Sequence, residues 1–104
     1  MANPWRGDVA LVIDGQRYVA RLTLGALAEL EEQLAEGSLL ELVERFEGNC
    51  FSTRDVVALL QAGLRGGGAD VDPAQVLNGE IKGGALAAAQ AAAQLLARAF
   101  VVAA

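Results

Sequence analysis

The sequence predicts an α+β domain, an N-terminal β-hairpin followed by a predominantly helical bundle of about five helices. Three observations carry this. Two short runs rich in Val, Leu, Ile and Tyr flank the turn dipeptide Asp14-Gly15. Downstream, leucine, valine and alanine recur at helical spacing in five stretches. The first four are punctuated by Thr, Ser or Asp in front and by glycine behind, and the last follows Gly83-Gly84. The 104 residues make one domain, with the hairpin in 7–22, helices one to three in 23–65, and a Gly-linked fourth helix and Ala-rich last helix in 66–104.

The hairpin is read as strands over residues 8–13 and 16–22. Asp-Gly favours a type I′ turn, whose twist matches that of the strands. A two-residue loop sets Ile13 opposite Gln16, Leu11 opposite Tyr18, Val9 opposite Ala20 and Gly7 opposite Leu22, on one apolar face. The other face pairs Val12 with Arg17, Ala10 with Val19, and Asp8 with Arg21 as a cross-strand ion pair. Two strands alone are marginal in water, so the hairpin is expected to dock on its own helices, with free edges open to a neighbouring subunit's strand.

Residues 21–34 are read as the pivot of the chain. Thr23 caps the first helix, Leu27, Leu30 and Leu34 form its apolar stripe, and Glu29, Glu32 and Glu36 an acidic one. Gly37 ends it. Ser38 and Glu41 open a second helix as a capping box, with Leu39, Val43 and Phe46 inward and Glu41 paired with Arg45 outside. Ser52 and Asp55 open the third, which runs to about Arg65 on a stripe of Val57, Leu60 and Leu64 supported by Val56. Gly63 within that stripe costs about 1 kcal/mol against alanine, which signals another backbone close by. Residues 66–68, three glycines, read as a flexible stop. Asp72-Pro73 start a fourth helix with Val76, Leu77 and Ile81 inward, shortened at Asn78-Gly79. After Gly83-Gly84 the last helix covers about 85–101. Its apolar stripe is Leu86, Ala89, Ala93, Leu96 and Phe100, and its polar one is Gln90, Gln94 and Arg98.

Charge and reactive groups narrow the function. The net charge is −5, and all of it falls in residues 1–52, where nine acids face four arginines. A negative surface repels phosphate, so no nucleic acid and no membrane surface is expected as a partner. The triple glycine follows a helix and lacks a Gly-Lys-Ser/Thr, so it is not a phosphate loop. With no histidine and one cysteine, zinc clusters and nucleophile–base pairs are unavailable. Cys50 reads as a small apolar filler. Asp70 and Asp72 are too few for a calcium loop. These points predict no enzyme, no cofactor and no metal. MANPWRGD lacks an apolar signal core, so the expected location is cytoplasmic.

Several short stretches, in order and spacing, resemble one family. They are Asn3 with Arg6-Gly7-Asp8-Val9, Asp14-Gly15 with Tyr18, Gly25-Ala26-Leu27-Ala28-Glu29-Leu30-Glu31, Arg54-Asp55, and Ala62-Gly63-Leu64-Arg65-Gly66. The family is the small tail protein of gene transfer agents and long-tailed phages, grouped with phage tail assembly chaperones. The resemblance spans residues 3–68, and the Ala-rich end follows it loosely. Members often carry aromatics where this chain has Leu24 and Gln61. The resemblance implies a tail assembly chaperone whose partners are the tail tape-measure protein and the tail tube protein. It keeps the tape-measure helix soluble until the tube forms. A structural tail component, tail tube or minor tail protein, is the alternative, which would place the chain in the particle. A small helical regulator binding protein or DNA is a weaker one. The expected partner-binding residues are Leu86, Ala89, Ala93, Leu96 and Phe100, and a homo-oligomer is compatible with the same surface.

Overall fold

The computed structural model describes residues 7–34 and 38–100. Strands β1 (Val9–Ile13) and β2 (Gln16–Ala20) pair antiparallel in the expected register, from Val9 opposite Ala20 to Ile13 opposite Gln16. Asp14 and Gly15 have φ of 52° and 79°, the left-handed pair that a type I′ turn needs. Val9, Leu11, Ile13 and Ala20 are buried on one face. Tyr18 is half-buried there, and Gln16 at the turn stays in solvent. The strands stop short of residue 22, because Arg21 turns to bond a helix instead. Its N–H donates to the Gly63 carbonyl at 2.7 Å. Its side chain meets Asp8 at 2.6 Å, and the Asp8 carboxylate is buried. The expected surface ion pair is therefore shielded on its acidic side.

Five helices follow: α1 (Leu24–Gln33), α2 (Leu39–Glu47), α3 (Thr53–Gly66), α4 (Pro73–Asn78) and α5 (Gly84–Phe100). The expected N-caps hold, although the Ser38–Glu41 box forms only its Ser38 half. Thr23, Ser38, Ser52 and Asp72 each accept from a backbone N–H in the first turn, and Ser52 and Asp72 complete capping boxes with Asp55 and Gln75. The predicted end of the first helix at Gly37, its Glu36, and residue 101 of the last helix lie outside the described residues.

The pivot is α3, not the stretch at 21–34. It packs against α1, α4, α5 and β2, and Val56, Ala58, Leu59, Leu60, Ala62, Gly63 and Leu64 are buried along it. A helix touched on several sides buries most of its circumference, so its core extends beyond the predicted stripe. Val57, placed in that stripe, is only half-buried. The glycine signal in α3 is real. A Cβ on Gly63 would stand 2.7 Å from Leu95 Cδ1 and 3.2 Å from Ala20 Cβ. Gly66 and Gly67, read as a flexible stop, lie flat against β2 instead. A Cβ on either would run into a backbone carbonyl, of Arg21 and of Val19 respectively. Only Gly68, at φ 85° with open space around it, serves the turn alone.

Other expectations need correcting. In α2 the fully buried residue is Leu42, whereas Leu39, Val43 and Phe46 are half-buried. Leu42 shares the helical face of these three, which pack against the core around it. Arg45 does not act as Glu41's surface partner. Its Nε and Nη2 make two hydrogen bonds to Asp55, at 3.1 and 3.0 Å, and tie α2 to the start of α3. Leu77 points into solvent, since α4 is six residues long and buries only Val76. Ile81 leaves the helical pattern and forms a β-bridge with Ile13. Cys50 is exposed, its thiol donating to the Gly48 carbonyl, so it fills no core.

The hairpin edges are partly engaged by the rest of the chain. The glycine end of α3 lies against Val19 and Ala20 at the end of β2. On the β1 edge, Lys82 N–H donates to the Val12 carbonyl and Asp14 N–H to the Glu80 carbonyl. Farther along, Arg98 reaches from α5 to the Asp8 carbonyl, so it is more than a surface polar residue. The outward-facing groups of Ala10 lie between these two closures.

Candidate protein-binding surface

The solvent face of α5 is the strongest candidate for a binding surface. No charged residue occurs in 83–97, and Ala85, Ala89, Ala93 and Ala97 recur every fourth position. That spacing makes a low ridge on one side of a helix, so a second helix backbone can approach closely. An apolar groove opens beside it toward each end.

The first groove, of about 590 Å³, runs between α3, α4 and α5. Val57, Leu60, Val76 and Ile81 line it with Phe51 and Ala89, and Leu77 stands on its rim, 62% exposed. It exists because α4 is short. Asp72 and Pro73 start it, Gly79 ends it, and the chain then crosses to Ile13, leaving a gap over Val57 that a longer helix would fill. The second groove, of about 340 Å³, lies between α2 and α5 and is lined by Val43, Phe46, Ala93, Leu96, Ala97 and Phe100. Phe46 is held for this position by stacking on Phe51, with ring centroids 4.4 Å apart.

The predicted partner residues divide between core and surface. Leu86 is 70% exposed on the ridge flank, Ala89 lies in the wall of the first groove, and Ala93 is exposed beside the second. Phe100 is 47% exposed at the far end. Leu96, at 3%, belongs to the core and touches the second groove only with its edge. The inward face of α5 is made by Ala88, Ala91, Ala92, Leu95 and Leu96. The pattern missed the other walls, Phe51, Val57 and Leu77 above all. Helical spacing marks Val57 and Leu77 as apolar stripe residues without saying which neighbour is too short to cover them.

A third cleft, of about 720 Å³, is polar and includes Arg45, Cys50, Ser52, Arg54 and Asp55. Its titrating centre is structural. Burial pushes the Asp55 carboxyl up, but the Arg45 hydrogen bonds, the Ser52 N–H and the Arg45 charge outweigh that and hold it below its ordinary value. Such a carboxylate is a poor proton carrier near neutrality. Among the described residues no three His, Cys, Asp or Glu groups gather as a metal site would require. Nor is any described helix long and apolar enough to cross a membrane.

The sequence profile of one family, described as phage tail tube protein, GTA-gp10, matches residues 6–101. The chain belongs to that family. The match takes in both hairpin strands and all five helices, including the Ala-rich α5 that the resemblance covered loosely. Membership in the GTA-gp10 family makes it a phage-tail-related protein. Among curated proteins and solved structures, none matches the chain significantly.

Proposed function

We propose that the chain is a tail assembly chaperone. It binds the tape-measure protein through Leu86, Ala89, Ala93 and Phe100, with Leu96 supporting them from below, and releases it as the tail tube protein polymerises. The observation that carries this reading is the uncharged alanine ridge of α5 with an apolar groove beside it toward each end. An exposed surface of this kind shields an apolar helix in helix-in-groove fashion. The acidic first half of the chain keeps such a complex soluble. No step in this role needs a reactive side chain, in keeping with a non-enzymatic protein.

The second reading, a structural tail component, is favoured by the description of the family as a tail tube protein. A tube wall extended through the β1 edge would compete with contacts that Lys82, Glu80 and Arg98 already make there.

Co-expression with the tape-measure protein decides whether a client is held. The chain raises the client's soluble yield, and Leu86→Glu with Ala93→Glu abolishes the effect while the circular dichroism spectrum is retained. Mass spectrometry of purified particles separates the two readings. Absence of the chain supports the chaperone, and stoichiometric presence makes it a tail component.

A further inference from the structure

The two grooves share a charge pattern that specifies their occupant. Every lining residue of the first is uncharged except Glu80, and every lining residue of the second is uncharged except Glu47. Both carboxylates belong to exposed residues, and neither has an ion-pair partner among the described residues. Glu80 shares its groove with Ala85, Ala88 and Ala89, near the start of α5. Glu47 shares its groove with Ala93, Ala97 and Phe100, near the end. The ridge from Ala85 to Ala97 is about 18 Å long at 1.5 Å per residue. An apolar track thus runs along α5 with one carboxylate lining it toward each end, while Lys82 and Asp14, which share an adjoining cleft with Glu80, line neither groove.

We propose that this track receives an amphipathic helix of another chain, apolar along three to four turns and carrying a Lys or Arg near each end of that stretch. The cations meet Glu80 and Glu47 while the apolar face packs on the alanine ridge. A second copy of this chain does not fit the description. The α5 of such a copy carries a single cation, Arg98, which is half-buried and donates to the Asp8 carbonyl. Its own Glu47 and Glu80 add negative charge to the contact. The inference rests on the chaperone reading for the identity of the client and specifies the chemistry of the client's segment.

Fluorescence anisotropy with two designed 18-residue helical peptides tests it. Both have one Leu/Ala face. One carries Lys near each end and the other Glu at the same places. The full chain is expected to bind the Lys peptide about tenfold more tightly at low salt, as two rim charge pairs allow, with the difference shrinking as salt rises. The double variant Glu47→Lys, Glu80→Lys is expected to reverse the preference, and Ala93→Glu to weaken both peptides. These three positions are exposed, and unchanged circular dichroism certifies the fold. Equal binding of the two peptides overturns the inference, as does no binding of either. So does a dimer in sedimentation that Ala93→Glu dissociates, which would give the face to a second copy. Tape-measure protein held equally well by the wild type and by Glu47→Lys, Glu80→Lys refutes the charge pattern but leaves the chaperone. Lys-peptide preference without any hold on the tape-measure protein removes the chaperone and leaves the groove chemistry.

Discussion

Alanine at Gly66 tests whether α3 is seated on the hairpin. Taken alone, Gly→Ala near a helix end stabilises, by up to about 1 kcal/mol from helix propensity and the smaller entropy of the unfolded chain. Here the new Cβ runs into the Arg21 carbonyl oxygen and stands 3.2 Å from Ala26 Cβ. A backbone carbonyl cannot rotate aside as a side chain does, so the end of α3 must lift from β2. Lifting stretches the Arg21 N–H bond to Gly63, now 2.7 Å, and disturbs the ion pair between Arg65 and Glu29. Overpacking costs about 1–3 kcal/mol and a lost hydrogen bond about 1 kcal/mol more. Net of the propensity gain, Gly66→Ala destabilises by about 2 kcal/mol, a fall in Tm of about 10 °C for a chain of this size. The matched control is Gly25→Ala in the first turn of α1. There the new Cβ meets only Thr23 Oγ1, at 3.9 Å, and stability rises by about 0.5–1 kcal/mol. Thermal melts followed by circular dichroism measure both. If Gly66→Ala melts at or above the wild-type temperature, α3 does not lie on β2 as described.

Other outcomes follow from the same packing. Asp55→Asn removes part of the acid sensitivity. The folded-state pKa of Asp55 is depressed below its unfolded value, so its stabilisation is present above about pH 4 and is lost as pH falls through the folded value. Urea unfolding at pH 7 and pH 3 then shows a smaller difference for the variant than for the wild type. Leu59→Ala, at the centre of α3 and fully buried, costs about 2–5 kcal/mol, whereas Leu77→Ala on the open rim changes stability by under about 0.5 kcal/mol. Similar losses at both positions would mean that α4 is covered. Arg98→Met removes the bond from α5 to the Asp8 carbonyl and lowers stability by about 1–2 kcal/mol, read from the urea midpoint.

Local chemistry made much of this fold legible in the sequence. Asp14-Gly15 permits two positive φ angles in succession, and that alone set the hairpin register residue by residue. Thr23, Ser38, Ser52 and Asp72 marked helix starts because each needs only an N–H two or three residues away. Gly63 was recognisable as a contact site, since a helix interior does not otherwise tolerate its cost. The exposed apolar face of α5 was half legible. The stripe through Leu86, Ala89, Ala93, Leu96 and Phe100 correctly marked α5 as apolar, yet it mixed the buried Leu96 with the open Leu86. On a helix of alanines the apolar arc is nearly the whole circumference, so periodicity cannot say which side the core takes.

By itself, then, the sequence determined where the backbone turns, caps and pairs, because those events are settled by residues within a few positions of each other. The tertiary structure decided that α3 rather than the stretch at 21–34 is central, that Arg45 belongs to Asp55 rather than Glu41, and that residues 66 and 67 are packing sites rather than a loose stop. It also decided that a short α4 leaves Val57 and Leu77 beside an open groove. Each of these depends on segments far apart in the chain meeting at close range. Burial is a property of what arrives from elsewhere, and no local pattern encodes the arrival.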